Sequence, residues 1–557
     1  MGEEKEAPKR VSRRQFVKGA AAVAGAGALA SCAPAATPAP TAAPAPTCPP
    51  AEECAPCPVP GVPETWDKEA DVVVVGFGGA GGCAALEAAD AGAEVIILEK
   101  TATPGGATCL CAGIFYAAGT SVQEEAGITD TPDEMYKYSM AMGKGLADPE
   151  LVRVWVDNVG ETFEWLQSMG AEYYSGVGTP GVIPLVVKDD WDAGYGLYYS
   201  GAEADPWAAA ITPPKPRGNI VKPVEATWPY PPEHPWAFSP AAGITRGTGF
   251  FKPLWEGVKE RGSEVLLETS AIALIVDPTK REVLGVKAES GGEELFIKAS
   301  RAVVLATSGF LSNPEMIKNY NVEDGAAMML AGTAADTGDG IKMGMAIGAD
   351  LKNMDQGTLG YDSLPRGAIL VNYGGRRFVD ETLYRLSGEA IMGQVDSLAY
   401  AIFDEEIQQV AQVPETIQAP TIAELAGKIG VDASVLEDTL NTYNGYVESG
   451  KDLEFGRTRA RHHADPESEG MVPIQTPPFH AVKAAPAFAT THGGLRINTK
   501  CQVIDVYDTV IPRLYAAGST TGAVLGDMYP GSGSAISQAF VFGRIAGQNA
   551  GAEEPWE

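Results

Sequence analysis

Apolar residues run unbroken from Val72 to Val75 in the stretch EADVVVVGFGGAGGCAALEAADAGAEVIILEK, with no polar residue at alternate positions. A strand covered on both faces needs that pattern, so Asp71 to Val75 is predicted as a buried parallel strand. Gly76, Gly78 and Gly81 follow, then an Ala-rich helical stretch, then a second apolar run from Glu94 to Leu98 that stops at Glu99. Strand, glycines, helix, strand and acid at a separation of about 20 residues form a dinucleotide-binding unit. In such a unit the glycines let the backbone and a helix N-terminus approach a pyrophosphate, and Glu99 accepts bonds from ribose hydroxyls.

Elsewhere the pattern breaks down in informative ways. The N-terminus reads SRRQFVKGAAAVAGAGALASC, with Arg13 and Arg14 paired ahead of a small-residue apolar run too short to span a bilayer. It predicts an export signal over residues 1–32 and resembles the twin-arginine class, which carries proteins already folded around a cofactor. Cys32 stands either as the lipidated residue of a lipoprotein cleavage box or beside an ordinary cleavage site near Ala30. Residues 33–66 form a linker rich in Ala, Pro and Thr, which cannot bury enough surface to offset its chain entropy. Within it Cys48, Cys54 and Cys57 suit either disulfides or part of an iron–sulfur cluster. The stretch from Tyr173 to Phe251, rich in Pro, Trp and Tyr, reads as a loop over a substrate or as a surface excursion.

Composition narrows the partners. The 557 residues are 45% hydrophobic, enough for a large core and more than one domain. Lys plus Arg at 41 against Asp plus Glu at 72 gives a net charge of −31, which repels nucleic acid and anionic lipid. Membrane contact is expected only through a lipid at Cys32.

Six further segments occur in order: PGGATCLCAGIFYAAG (104–119), RAVVLATSGFLSN (301–313), TGDGIKMGMAIGA (337–349), GAILVNYGGRRFVDE (367–381), THGGLRINTK (491–500) and RLYAAGSTTG (513–522). Together they resemble the fumarate reductase and succinate dehydrogenase flavoprotein superfamily, which includes urocanate reductases and 3-ketosteroid dehydrogenases, over residues 67 to 550. The resemblance implies an α/β fold: a doubly wound, Rossmann-like FAD-binding domain (67–348 and 488–557) interrupted by a smaller α+β capping domain (349–487). FAD contacts are implied at Gly76, Gly78, Gly79, Ala80, Gly81, Glu99 and Lys100. Further contacts are implied at Gly105, Gly106, Ala107, Thr108, Thr307, Asp339, Gly518, Ser534, Ala535 and Ile536.

The catalytic groups are carried over by motif. The fumarate reductase pattern RFxNExxxR ends in the arginine that gives a proton to the substrate, and RFVDETLYR makes Arg385 that donor. Arg366, in PRGAILVN, resembles the arginine that returns protons to it; the usual glutamate upstream is Ser363 here, with Asp362 a substitute. The alternative for Arg385 is a surface or phosphate-facing cation. Ketosteroid dehydrogenases place a tyrosine base at that position, and here Tyr384 is only its neighbour.

Near the C-terminus, where fumarate reductases have a carboxylate-clamping arginine in NRLGGNA, this chain reads MYPGSGSA. That resembles the YPGxG of ketosteroid dehydrogenases, whose tyrosine hydroxyl and second glycine N–H bind a ketone oxygen, roles that fall to Tyr529 and Gly533. Other dicarboxylate ligands are missing: no HPT follows Met354, and Thr490 replaces a histidine, with His492 either a substrate contact or packed at the flavin.

The resulting expectation is an exported FAD enzyme that reduces a C=C bond conjugated to a carbonyl, on an enone or unsaturated acid larger than fumarate. Two alternatives stand beside it: a ketosteroid dehydrogenase-type enzyme working in the oxidative direction, and a surface lipoprotein that binds a ligand on a flavin scaffold. With no second nucleotide fingerprint and no CxxCH motif, electrons are expected from a separate membrane or surface carrier.

Overall fold

The computed structural model describes residues 60–175, 197–198, 211–212, 215–224, 246–320, 329–330, 333–361, 365, 367–411, 413, 415–457 and 470–556. The expected export signal with Cys32, the linker cysteines and much of the stretch between Tyr173 and Phe251 lie outside the described residues.

Strand β1 (Lys68–Val75) begins four residues before the apolar run, and Val72, Val73 and Val74 are fully buried. The glycine turn leads into α1 (Gly79–Asp90) and back to β2 (Val95–Leu98), in parallel register Val72 to Val95 through Val75 to Leu98. Helix α2 (Gly106–Leu110) precedes β3 (Ile114–Tyr116), then α3 (Pro132–Met142) and α4 (Pro149–Ser168). Strand β4 (Gly218–Ile220) pairs antiparallel with β3. Helix α5 (Thr248–Glu260) is followed by β5 (Glu264–Leu266), β6 (Thr269–Val276), β7 (Val283–Ser290) and β8 (Glu293–Leu305).

After α6 (Asp339–Ala346) come β9 (Ile369–Val371), α7 (Tyr384–Met392), β10 (Ala399–Asp404), β11 (Ile417–Ala419), α8 (Ala433–Ser449) and β12 (Phe479–Ala484). The chain then closes with β13 (Gln502–Ile504), β14 (Val510–Ala516) and α9 (Ser534–Gly551).

The main sheet runs β13-β14-β8-β1-β2-β5, parallel except at β13, with β6 and β7 folded onto β8 as an antiparallel ribbon. Strands buried on both faces and joined through helices give this α/β arrangement. A separate antiparallel sheet, β9-β10-β12-β11, has its own apolar core around Leu370, Ile402, Leu436 and Tyr443.

One helix pair positions the site. Helix α9 packs against α1 with almost no side chain between them: a Cβ on Gly543 would lie 2.5 Å from the Ala80 carbonyl oxygen, and one on Gly547 2.2 Å from that of Ala84. Glycines four residues apart clear one face of α9, so the two backbones meet. The N-terminus of α9 is thereby delivered to the same edge of the sheet as the glycine turn.

Candidate active site

The glycine turn is built for close approach on one side and left open on another. A Cβ on Gly81 would sit 1.9 Å from the Gly76 carbonyl oxygen, which locks helix to strand. A Cβ on Gly78 would meet nothing nearer than 3.8 Å, so this face is open to a ligand. Glu99 already holds the turn: Oε2 accepts from the Phe77 N–H at 3.0 Å, and Oε1 from the Thr101 N–H and hydroxyl at 2.9 and 2.8 Å. A carboxylate offers about four lone-pair directions, so capacity for a ribose hydroxyl remains. Lys100 Nζ donates to Thr337 Oγ1 at 2.6 Å and Asp339 Oδ2 at 2.7 Å. Beside them a cleft of about 500 Å³ is lined by Ser270, Ala271, Ile272 and Met343.

The remaining implied cofactor residues gather along the same edge. Gly79 N–H donates to Thr108 Oγ1 at 2.9 Å, and Gly105 N–H to the Phe77 carbonyl at 2.7 Å. Gly106 and Ala107 are partly exposed, and nothing would lie within 4 Å of a Cβ on Gly106. Thr307 Oγ1 accepts from the Gly340 N–H at 3.0 Å, at the start of α6. A Cβ on Gly518 would lie 3.0 Å from that of Ala80. At the start of α9, Ala535 and Ile536 are partly exposed, and the fully buried Ser534 hydroxyl has no hydrogen-bond partner among the described residues. An open glycine face, a lysine–carboxylate pair beside a cleft, and a helix N-terminus with an orphan hydroxyl fit a dinucleotide carrying a polar ring system.

Tyr529 stands at that helix N-terminus. It is partly exposed, and its hydroxyl oxygen accepts from the Ala535 N–H at 2.9 Å. Loss of hydration raises its pKa to about 12, while the Ala535 N–H and, more weakly, those of Gly533 and Ser534 pull the other way. The Cys111 thiol nearby, itself raised to about 12 by burial, adds to the upward shift. Gly533 adopts φ +94, and a Cβ there would lie 2.5 Å from the Ile114 carbonyl oxygen, so only glycine fits between the turn and β3. The His492 ring stacks on Tyr529 at 5.8 Å. His492 Nδ1 lies 2.8 Å from the Gly526 carbonyl oxygen, which only accepts, so Nδ1 carries the proton. Thr490 turns its hydroxyl to the Thr491 carbonyl at 3.3 Å.

Arg385 is the second residue of α7, and its side chain lies outside the described ones, as do Arg366, Asp362 and Ser363 altogether. The frame carrying this helix is described, and it is ionic. Arg377 donates two bonds of 2.9 Å to Glu381 and one of 3.0 Å to Asp452. Arg457 Nη1 donates to Glu381 Oε2 at 3.0 Å and to the Ala368 carbonyl at 2.9 Å. Glu381 also accepts from the Leu370 N–H at 3.2 Å, so one buried carboxylate joins β9 to the turn before α7.

Sequence reasoning missed Asp452, Arg457 and Cys111, and a second buried ion pair between Arg217 and Asp130. The signal that could have found the first two is an arginine and an aspartate in a run, KDLEFGRT, that otherwise reads as solvated loop.

The family model for the FAD binding domain matches residues 71–536. The chain is 32% identical to the urocanate reductase of Eggerthella lenta over 528 residues, covering 89% of this chain and 76% of that one. It is 30% identical over 500 residues to a fumarate reductase (cytochrome) of Shewanella frigidimarina, covering 86% and 76%. Among solved structures, the 3-ketosteroid-Δ4-(5α)-dehydrogenase of Rhodococcus jostii RHA1 in complex with 4-androstene-3,17-dione is similar at a TM-score of 0.72 and 30% identity, covering 88% of this chain and 98% of that one.

Proposed function

Because the chain belongs to the FAD binding domain family and is an FAD-dependent oxidoreductase acting on CH–CH or C=C bonds, we propose that it reduces a double bond conjugated to a carbonyl. The substrate is an enone or an unsaturated carboxylate larger than fumarate. When bound, FAD would supply a hydride; Gly78, Glu99, Lys100 and Asp339 would hold its dinucleotide end, and Ser534, Ala535 and Ile536 its ring.

The observation that supports this reading is the turn from Tyr529 to Gly533, which sets a neutral hydroxyl at the N-terminus of α9 and contains no cation to pair a carboxylate. The Tyr529 hydroxyl keeps its proton for donation, because its oxygen, not its hydrogen, is engaged by Ala535. With the Gly533 N–H and the positive end of the α9 dipole, it stabilises the enolate oxygen that develops as hydride arrives. Arg385 then delivers a proton to the α-carbon and is recharged through Arg366, so one hydride and one proton saturate the bond. The cap, residues 349–487, closes over the substrate. The enzyme is exported by the twin-arginine route, held at the surface through Cys32, and takes electrons from a membrane or surface carrier.

A second reading, ketosteroid-type dehydrogenation, is favoured by the YPGSG turn and by the similarity to the Rhodococcus jostii enzyme. Reoxidation of the reduced holoenzyme by fumarate, aryl-acrylates, simple enones and steroid enones separates the readings. Enones and aryl-acrylates should outpace fumarate, because fumarate would bring a second carboxylate into the site and leaving it unpaired costs several kcal/mol. Efficient fumarate reduction would mean that the carbonyl is held elsewhere, and flavin reduction by saturated steroid ketones alone would favour the dehydrogenase.

A further inference from the structure

Behind the Tyr529–Gly533 turn lies a buried ion pair that the chemistry above does not use. Neither the Arg217 nor the Asp130 side chain has any exposed surface. Arg217 Nε donates to Oδ2 at 2.7 Å and Nη2 to Oδ1 at 2.9 Å. Gln123 Nε2 and the Thr131 N–H complete the carboxylate at 3.3 and 3.0 Å. The Arg217 guanidinium also interacts with the Tyr116 side chain and lies 5.5 Å from the centroid of the Tyr138 ring.

A buried ion pair is weak evidence of stabilisation, since replacing one by packed apolar groups is often neutral or stabilising. The connections of this pair point to geometry. The Tyr138 hydroxyl donates to the Pro530 carbonyl at 2.7 Å. The Arg217 carbonyl accepts from the Ala117 N–H at 2.9 Å, and the adjoining Tyr116 N–H donates to the Gly533 carbonyl at 3.4 Å. The turn is therefore tied at Pro530 to α3 and at Gly533 to β3, and Arg217 braces both elements. Because Asp130 neutralises Arg217, the pair exerts little net field, and its influence is one of shape.

We propose that Arg217 and Asp130, acting through Tyr138, are positioning residues that hold the turn so that the Tyr529 hydroxyl and the Gly533 N–H converge on one carbonyl oxygen. The inference rests on the carbonyl subsite proposed above and adds the residues that set its shape. It distinguishes this cluster from a charged clamp: neutral enones and anionic acrylates should suffer equally when it is loosened.

The test compares holoenzymes carrying Tyr138→Phe, Tyr529→Phe and both. Turnover is measured on the best enone and the best aryl-acrylate, and binding of para-substituted phenols is read from the flavin absorption band. Losing one hydrogen bond to the turn should lower kcat about tenfold in Tyr138→Phe, with flavin content unchanged and the melting temperature lowered by only a few degrees. The double variant should be no slower than Tyr529→Phe, because both changes act on one subsite. Phenols should bind Tyr138→Phe with a weaker dependence on their acidity, and Arg217→Lys, which keeps the charge but not the two-pronged bond, should show the same flattening. Wild-type behaviour of Tyr138→Phe, or a loss that adds fully to that of Tyr529→Phe, overturns the inference and leaves the subsite standing. Wild-type turnover in Tyr529→Phe overturns the subsite and the inference together.

Discussion

The Tyr529 hydroxyl oxygen accepts the backbone N–H of Ala535 at 2.9 Å, across six residues of the turn that starts α9. A residue assigned to the substrate and one assigned to the flavin are thus in direct contact. The first turn of a helix leaves N–H groups unpaired, and this tyrosine satisfies one of them while keeping its own proton free to donate.

That arrangement sets a pH dependence. The folded pKa of Tyr529 is raised from 10.0 to about 12, so the unfolded chain releases this proton first. The stability contributed by neutral Tyr529 is therefore complete below about pH 10 and is lost as pH rises towards about 12. An ultraviolet tyrosinate titration of wild type and Tyr529→Phe should show one late-titrating tyrosine missing from the variant. Turnover should show no loss attributable to this group at neutral pH.

Removing the same hydroxyl takes away one of the donors proposed for the developing oxyanion. Tyr529→Phe should reduce turnover of the best enone by about 10²- to 10³-fold while the ring keeps its stack on His492. Steady-state rates, with flavin content as the control for folding, check this.

Two glycines of one turn should behave differently. Gly78→Ala places a methyl in open space at φ −95, so the protein should fold and lose FAD, because the added Cβ points at the face a pyrophosphate would approach. Gly81→Ala would put its Cβ 1.9 Å from the Gly76 carbonyl oxygen and should destabilise the fold itself by about 1–3 kcal/mol or more. Visible spectra and melting curves of the two variants should separate cofactor loss from fold loss; a full flavin spectrum in Gly78→Ala counts against the cradle.

Glu381 neutralises two buried arginines, and Glu381→Gln would leave Arg377 with Asp452 and take from Arg457 the carboxylate its guanidinium donates to. Breaking such a network from one side typically costs about 3–5 kcal/mol. Denaturant unfolding at neutral pH should show a loss of that order, larger than for substitution of the half-exposed Glu454.

Proton delivery can be separated from flavin chemistry. Arg385→Ala and Arg385→Lys should leave reduction of the flavin by an artificial donor intact and slow substrate reduction by about a hundredfold or more. Stopped-flow measurement of the two half-reactions decides this, and near-normal substrate reduction in both variants would turn attention to Tyr384.

Local sequence carried the strand, the glycine turn, the acid at Glu99 and the YPGSG segment, because each is a demand made by a few consecutive residues. An apolar run needs cover on both faces, and a Cβ-free turn needs glycine; neither requires knowledge of what lies across the molecule. Sequence also pointed to Glu99 as a ribose acceptor, but only the fold shows that it first holds Phe77 and Thr101. The buried ion pairs were not legible: Arg217 meets Asp130 across 87 residues and Arg457 meets Glu381 across 76. In sequence such residues look like solvated charges, since an arginine has the same chemistry whether water or a carboxylate faces it. Desolvation makes the partner obligatory, and desolvation is decided by packing, which here depends on contacts such as Trp155 to Ser537, 382 residues apart. The chemistry offered at the site's edge was therefore written locally, while the shape in which Tyr529 and Gly533 are held was decided by the tertiary structure.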